Sequence, residues 1–291
     1  MKYRSGGAFR QALEDRLRSQ SVQEGIPLVR LRKAVVFERF LARLMLAQPG
    51  AWLLKGGLAL QWRLGNVART TQDVDLLLTR PEQDVHAALV RAALLDLGDW
   101  FRFLVQQPAS EAATPAGARF LVQALLDGRP FERFHVDIGW GDPVVEPAEW
   151  LAAPSLLGFA EIPPILILCY PLSQQLAEKV HAYTLPRRAG DNSRVKDLVD
   201  MLLMAKAASF RGSALRQALF ATFEARRTHA LPERLPDPPP AWAVPFHEMS
   251  RSMGMKEQTL AAAIVAICSF LDPILQNQPQ EEWDPVAWAW H

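Results

Sequence analysis

The sequence predicts an α+β protein, strand-rich in its N-terminal half and helical in its C-terminal half. Three observations carry that expectation. Between residues 71 and 138, short runs alternate apolar and polar residues and end in turn residues, the period of half-buried strands. From Leu172 onward apolar residues recur every three or four positions, the period of helices that bury one face. With 291 residues, 49% of them hydrophobic, the chain has core material for one large domain or two modest ones.

The elements follow in order. Residues 27–48 read as a helix with Leu31, Val35, Leu41, Leu44 and Met45 on one stripe, stopped by Pro49-Gly50. Trp52-Leu53-Leu54 leads into Lys55-Gly56-Gly57 and a short helical stretch through Leu60 to Arg63. Thr71 to Thr79 reads as a strand, and Pro81 to Leu97 as a helix with proline in its first turn and Gly98 just past its end. Phe101–Gln106 and Ala118–Leu126 read as strands. Asp127-Gly128 is a tight-turn pair, so Phe131–Ile138 returns as the second arm of a hairpin. Ile165–Tyr170 is either a short strand or the lead-in to a helix. Leu172–Leu185 and Arg194–Lys206 are helical. Leu231–Pro245 holds six prolines and reads as a connecting arm rather than a packed element. Leu260–Leu275 is the apolar half of a closing helical hairpin, followed by a Trp-rich tail for which ordinary core packing is the leading expectation.

Charge excludes some function classes. The 32 basic and 31 acidic residues nearly cancel, against a strongly basic nucleic-acid packer or an acidic disordered tail. Residues 1–50 nevertheless carry ten Lys/Arg against four acids, and residues 232–291 three against eight. The basic end can meet an anionic partner such as RNA, but solvated helix faces are the leading reading. The longest apolar run, Leu260 to Leu271, is too short to cross a bilayer, and no secretory stretch opens the chain, so a cytoplasmic protein without membrane contact is expected. Cys169 and Cys268 sit in apolar runs and read as buried free thiols. The six histidines lack metal-ligand spacing, and His181 reads as a helix-surface or capping residue.

Four signals carry chemistry. In Asp73-Val74-Asp75 a strand sends both carboxylates to one face and Val74 and Leu76 to the other. Such a pair repels unless a cation lies near, and Mg²⁺ takes oxygen ligands of this kind. His135-Val136-Asp137-Ile138 repeats the alternation and offers a third carboxylate across the sheet. Gly56-Gly57, at the mouth of a short helix, lets backbone N–H groups approach a phosphate. On the helix Leu172–Leu185, Lys179 lies beside the core stripe, where its amine can reach a sheet-side cleft or simply solvent. In the run Asp191 to Asp200, Asp191, Asn192 and Ser193 are candidate N-caps. Arg194, Asp197 and Asp200 share a face there, which a structural ion-pair cluster explains as well as a phosphate site does.

Leu54-Lys55-Gly56-Gly57-Leu58-Ala59-Leu60, with Arg69-Thr70-Thr71-Gln72-Asp73-Val74-Asp75-Leu76, resembles the first motif of the AbiEii/AbiGii toxin family. These are nucleotidyltransferase-like proteins of type IV toxin–antitoxin systems, within the DNA polymerase β-like superfamily. Leu176-Ala177-Glu178-Lys179-Val180-His181-Ala182 and Asn192-Ser193-Arg194-Val195-Lys196-Asp197-Leu198-Val199-Asp200 resemble its downstream motifs. The similarity covers residues 30–205. It departs from the family at Leu58, where Ser or Thr is usual; Thr70 or Thr71 is the candidate to compensate.

The resemblance implies a nucleotidyltransferase-like mixed β-sheet core with packed helices and N-terminal helices over residues 1–170, then a mainly helical region over 171–291. It implies Mg²⁺ or Mn²⁺ held by Asp73, Asp75 and Asp137, with Asp137 helping to activate the attacking hydroxyl. Lys179 corresponds to the family lysine near the nucleotide phosphates, and Asp197 to the acid of the last motif. Lys55, Gly56, Gly57, Arg69, Thr71, Arg194 and Lys196 are the further nucleotide contacts it implies. The implied reaction is in-line attack on the α-phosphorus of a nucleoside triphosphate, with a tRNA 3′ end or other RNA as acceptor. The implied partner is a cognate winged-helix antitoxin that acts without a stable complex. Two alternatives stand beside this: an inactive binding or regulatory module of the same fold, and kinase-like transfer of the γ-phosphoryl group.

Overall fold

The computed structural model describes residues 2–69, 71–80, 84–107, 113–114, 117–186 and 194–291. Thr70, Pro81, Asp191, Asn192 and Ser193 lie outside the described residues. The chain forms two compact units. The first comprises Met1–Arg63, Thr70–Gly141 and Glu149–Cys169; the second comprises Leu64–Arg69, Asp142–Ala148 and Tyr170–His291.

The first unit is a mixed sheet with helices packed on it. Helices α1 (Gly6–Glu24) and α2 (Leu28–Ala47) come first, then β1 (Trp52–Lys55), α3 (Gly56–Leu64), β2 (Asp73–Leu78) and α4 (Val85–Ala93). The remaining strands are β3 (Phe101–Gln106), β4 (Ala113–Thr114), β5 (Gly117–Leu126), β6 (Arg129–Trp140), β7 (Glu149–Ala152) and β8 (Leu166–Cys169). Their order is β3-β5-β6-β2-β1-β8-β7, with β4 paired to β5. The β2–β6 and β1–β8 pairs are parallel and the others antiparallel. Asp127 and Gly128, both at positive φ (52° and 72°), make the two-residue turn between β5 and β6 that their sequence predicts. The ambiguous stretch before Tyr170 is a strand, β8.

The core lies where the strands turn their apolar faces toward α2. Phe37 and Phe40 of α2 meet Phe134 edge-on at 5.1 and 5.6 Å, and Phe40 meets Phe103 at 5.3 Å. All four are buried, and each such ring contributes roughly 1.5–3 kcal/mol by leaving water. Helix α1, which the periodicity left unassigned, buries only Phe9, Leu13 and Leu17 as its large apolar residues, a stripe too narrow to stand out in sequence. The helix expected from Pro81 to Leu97 is shorter. Asp84 caps α4 by accepting from the Ala87 N–H at 2.9 Å, and the helix ends at Ala93, five residues before Gly98.

Much of the N-terminal positive charge is spent inside this unit. Arg43 is fully buried and donates to both oxygens of Asp99 at 2.7 and 3.1 Å, while Arg39 donates to the same carboxylate at 2.7 Å. Arg10 donates to the carbonyls of Leu126 and Pro130, and Arg32 pairs with Glu14. Arg10 and Arg43 tie helices to strand ends and Arg32 ties α2 to α1, rather than forming a solvated basic face.

The second unit is helical: α5 (Leu172–Thr184), α6 (Val195–Ala207), α7 (Gly212–Arg226), α8 (Ala243–Ser252) and α9 (Leu260–Leu275), closed by a short hairpin of β9 (Trp283–Asp284) and β10 (Ala289–Trp290). The proline-rich 231–245 segment is mostly exposed but is anchored at two points. Leu235 and Trp242 are buried, the Tyr183 hydroxyl donates to the Pro236 carbonyl at 2.8 Å, and α8 begins inside it at Ala243. Prolines here fix φ in a chain already anchored by neighbouring side chains. The tryptophan tail packs as expected: Trp283 is buried and its indole N–H donates to the Ala205 carbonyl at 2.7 Å. Cys169 is buried, but Cys268 is half-buried, and both are free thiols. Among the described residues no helix is long and apolar enough to cross a membrane.

Candidate active site

Strand alternation sets the chemistry of the first unit. In β2, Val74 and Leu76 are buried while Asp73 and Asp75 are half-buried on the opposite face. In β6, Val136 and Ile138 are buried and His135 and Asp137 are half-buried. Because β2 and β6 run parallel in register, Asp73 stands beside His135 and Asp75 beside Asp137. The row extends across four strands: Lys55 of β1 faces Asp75, Asp75 faces Asp137, and Asp137 faces Arg119 of β5. Two adjacent carboxylates are thus flanked by two cations. Like charges directly opposite in a sheet are destabilising, and this pair persists in the middle of the row.

Arg119 completes the cluster. Its Nη2 donates to Asp73 Oδ2 at 2.7 Å and its Nε lies 3.4 Å from Asp137 Oδ1. His135 Nδ1 lies 3.5 Å from Asp73 Oδ1. Burial and then the Asp75 carboxylate push the Asp137 carboxyl up to about 6, against the pull of Arg119 and His135. Among the described residues no three His, Cys, Asp or Glu side chains stand ready as a set around one ion. The expectation that three carboxylates share one face is met, but a preformed convergence on one point is not. A guanidinium lies against two of the three.

The glycine motif packs against this row. Gly56 opens α3 at φ 65°, and a β-carbon there would stand 2.7 Å from the Asp75 Cβ. Gly57 is buried behind it. Leu58, where the family pattern has a hydroxyl, is buried in the apolar core. The Thr71 hydroxyl donates to the Asp73 carbonyl at 3.2 Å, which fixes the start of β2.

The second unit holds Arg69, Lys179, Arg194 and Asp197 in one ion-pair cluster with Asp200. Lys179 Nζ lies 2.8 Å from Asp197 Oδ1 and 2.9 Å from Asp200 Oδ2. Arg69 grips Asp200 through Nε and Nη2 at 2.8 and 2.9 Å, and Arg194 Nη1 reaches Asp197 Oδ2 at 3.1 Å. Both carboxylates are buried. Burial disfavours charge on Lys179, but Asp200 and Asp197 outweigh it and raise its pKa. Burial likewise works against the Asp197 charge, and Lys179 and Arg194 override it, holding the carboxyl below its usual range. Lys196 is exposed.

His181 is buried, not on the helix surface. It forms part of a chain in which Arg226 Nη1 lies 3.4 Å from His181 Nδ1 and His181 Nε2 lies 2.8 Å from Thr228 Oγ1. Thr228 Oγ1 is 3.0 Å from His229 Nδ1, and His229 Nε2 is 2.8 Å from Thr184 Oγ1, which donates to the Val180 carbonyl.

Arg119 is the residue that sequence reasoning missed. The strand pattern places it near the turn-paired hairpin, but counting back from Asp127-Gly128 sets Ala118, not Arg119, opposite Asp137. A register shift between Ala124 and Leu125 moves the pairing by one and brings Arg119 onto the carboxylate face.

The family described as "Nucleotidyl transferase AbiEii toxin, Type IV TA system" matches residues 39–285. Among solved structures, the fold is similar to MenT4, nucleotidyltransferase toxin Rv2826c from Mycobacterium tuberculosis H37Rv, at 17% identity and a TM-score of 0.59, covering 94% of this chain and 92% of that one. JHP933 from Helicobacter pylori matches at 14% identity and a TM-score of 0.47, covering 84% and 94% of the two chains. A putative nucleotidyltransferase from H. pylori matches at 13% identity and a TM-score of 0.46, covering 85% and 98%. No curated protein sequence matches. With the family pattern spanning most of the chain over a mixed sheet of the same fold, this protein belongs to the AbiEii nucleotidyltransferase toxins of type IV toxin–antitoxin systems, whose chemistry is nucleotidyl transfer.

Proposed function

We propose that Asp73, Asp75 and Asp137 hold the divalent cation, Mg²⁺ or Mn²⁺, for transfer of a nucleotide to an RNA hydroxyl, the 3′ end of a tRNA being the acceptor. The observation that supports this most is the Asp75–Asp137 pair, side by side in parallel strands with a raised Asp137 pKa. The donor set fits: hard carboxylate oxygens suit a hard cation, and their repulsion is what such a cation relieves. When bound, the cation would neutralise charge growing on the phosphates. Asp137 is assigned to help activate the attacking hydroxyl by taking its proton on a side-chain oxygen. Gly56 brings the backbone at the start of α3 against Asp75, and Lys55 adds positive charge in the same row. Lys179, oriented by Asp197 and Asp200, is assigned to nucleotide phosphates, with Arg194 and Lys196 as further contacts. A winged-helix antitoxin that acts without a stable complex, in the cytoplasm, completes the reading.

Incubation with Mg²⁺, total tRNA and each nucleoside triphosphate, labelled at the α or the γ position, tests it. The expected result is α-label on tRNA, reduced more than about 100-fold by Asp75→Asn. Label from the γ position alone would assign kinase-like transfer instead. No label in RNA with any of the four nucleotides overturns the proposal.

A further inference from the structure

The position of Arg119 goes beyond the metal-binding reading, and the inference drawn from it rests on that reading. Its guanidinium contacts Asp73 at 2.7 Å and approaches Asp137 at 3.4 Å, two of the three carboxylates assigned to the cation. It reaches them from β5 because of the register shift in the β5–β6 hairpin. A β-bulge re-aims a side chain in this way. The Arg119 side chain is 45% exposed, so it is not locked by packing and has room to swing.

We propose that Arg119 is an exchangeable counter-ion: it neutralises Asp73 and Asp137 in the cation-free protein, gives them up when the divalent cation binds, and then binds the triphosphate of the incoming nucleotide. A guanidinium and a divalent cation compete for the same carboxylate oxygens, and the more compact, higher charge wins where several oxygens converge. The released guanidinium cannot return to carboxylates already neutralised. Its planar fork of donors matches a phosphate, and it remains anchored on the strand next to the cation. Arg119 thus couples the order of binding, cation before or with nucleotide, to the electrostatics of the row.

The two roles give one substitution opposite effects on two ligands. Full-length protein and its Arg119→Ala variant are titrated with Mn²⁺ alone, followed by electron paramagnetic resonance, and then with α,β-methylene analogues of the four nucleoside triphosphates at saturating Mn²⁺. The expected result is Mn²⁺ affinity about tenfold tighter in the variant and analogue affinity about tenfold weaker, the scale of one charge-assisted contact. Arg119→Gln, closer in size, is measured alongside and serves if the alanine variant does not fold. Mn²⁺ affinity that is unchanged or weaker in the variants, or analogue affinity that does not fall, overturns the inference while leaving the metal reading standing. Absence of Mn²⁺ binding in the wild type and in both variants overturns the inference together with the assignment of the three carboxylates.

Discussion

Gly56 sits so tightly against Asp75 that a β-carbon on it would overlap the Asp75 carboxylate. The residue is doubly constrained, because its φ of 65° also lies in the left-handed region that side chains avoid. Gly56→Ala therefore has to displace either the start of α3 or the carboxylate. The cost of the backbone alone is about 1–2 kcal/mol, small enough to leave a folded protein. Transfer activity is expected to fall far more than stability, by at least about tenfold beyond what lost folded protein accounts for. Paired urea melts and α-label transfer assays check it; activity that tracks folded fraction would remove Gly56 from the site.

A second prediction concerns pH and the buried face of α2. Glu38 is 2% exposed, its Oε2 has no hydrogen-bond partner, and burial pushes its carboxyl up to about 7 despite Arg39 nearby, with Asp99 adding to the rise. A carboxyl that holds its proton more tightly folded than unfolded stabilises the fold fully below the unfolded pKa, about 4.5, and loses that contribution as pH rises through about 7. Glu38→Gln keeps the shape and removes the titration. The variant is expected to match the wild type near pH 4.5 and to exceed it at pH 8 by on the order of 3 kcal/mol. Denaturant melts at the two pH values give the answer, and a gap that does not grow with pH would refute it.

The order of the longer strands and of the helices after α1 was legible because they followed from a local period or a turn residue, whereas α1 and the short strands β4, β7, β9 and β10 gave no such signal. Asp73, Asp75 and Asp137 were legible for the same reason: alternation alone decides which face of a strand a residue occupies. What alternation cannot give is which strand lies beside which, or a one-residue slip in pairing. The slip at Ala124 and Leu125 is what makes Arg119 a member of the row, and nothing in the local sequence marks it. The basic N-terminus misled in the other direction, since Arg39 and Arg43 are charged to the eye but buried around Asp99. Composition counts such residues as surface charge, whereas only the tertiary contact shows that their partner is internal. The anchoring of the proline arm was hidden for a similar reason: proline restricts φ but does not decide burial, and only the tertiary contacts of Leu235 and Trp242 show where the arm is held.

Lys179 supplies a third prediction. With its side chain 14% exposed between Asp197 and Asp200, it is a structural cation whatever else it does. Lys179→Met leaves two buried carboxylates sharing Arg69 and Arg194, and is expected to cost the second unit about 3 kcal/mol. A phosphate role adds a further expectation. At low temperature, where the variant stays folded by circular dichroism, transfer should remain at background. Recovery of transfer under those conditions would assign Lys179 to the fold alone.

The histidine chain of the second unit fixes its own protonation state. Arg226 can only donate, so His181 Nδ1 must accept and His181 Nε2 must carry the hydrogen directed at Thr228. Thr228 then donates to His229 Nδ1, and His229 donates from Nε2 to Thr184, so both imidazoles are neutral and every step runs one way. A proton added to His181 would have to sit at Nδ1, against the guanidinium. Burial, then Arg226 and His229, accordingly bring its pKa down to about 4. A base whose folded pKa is depressed gives its full stabilisation above the unfolded value, about 6.5, and loses it as pH falls toward 4. His181→Gln, which cannot titrate, is expected to be less stable than the wild type at pH 7.5, with the difference shrinking as pH approaches 4. Comparing the two proteins at each pH removes the carboxylates that titrate in both. A difference in melting temperature that stays constant from pH 7.5 to 4.5 would show that the chain does not hold His181 neutral.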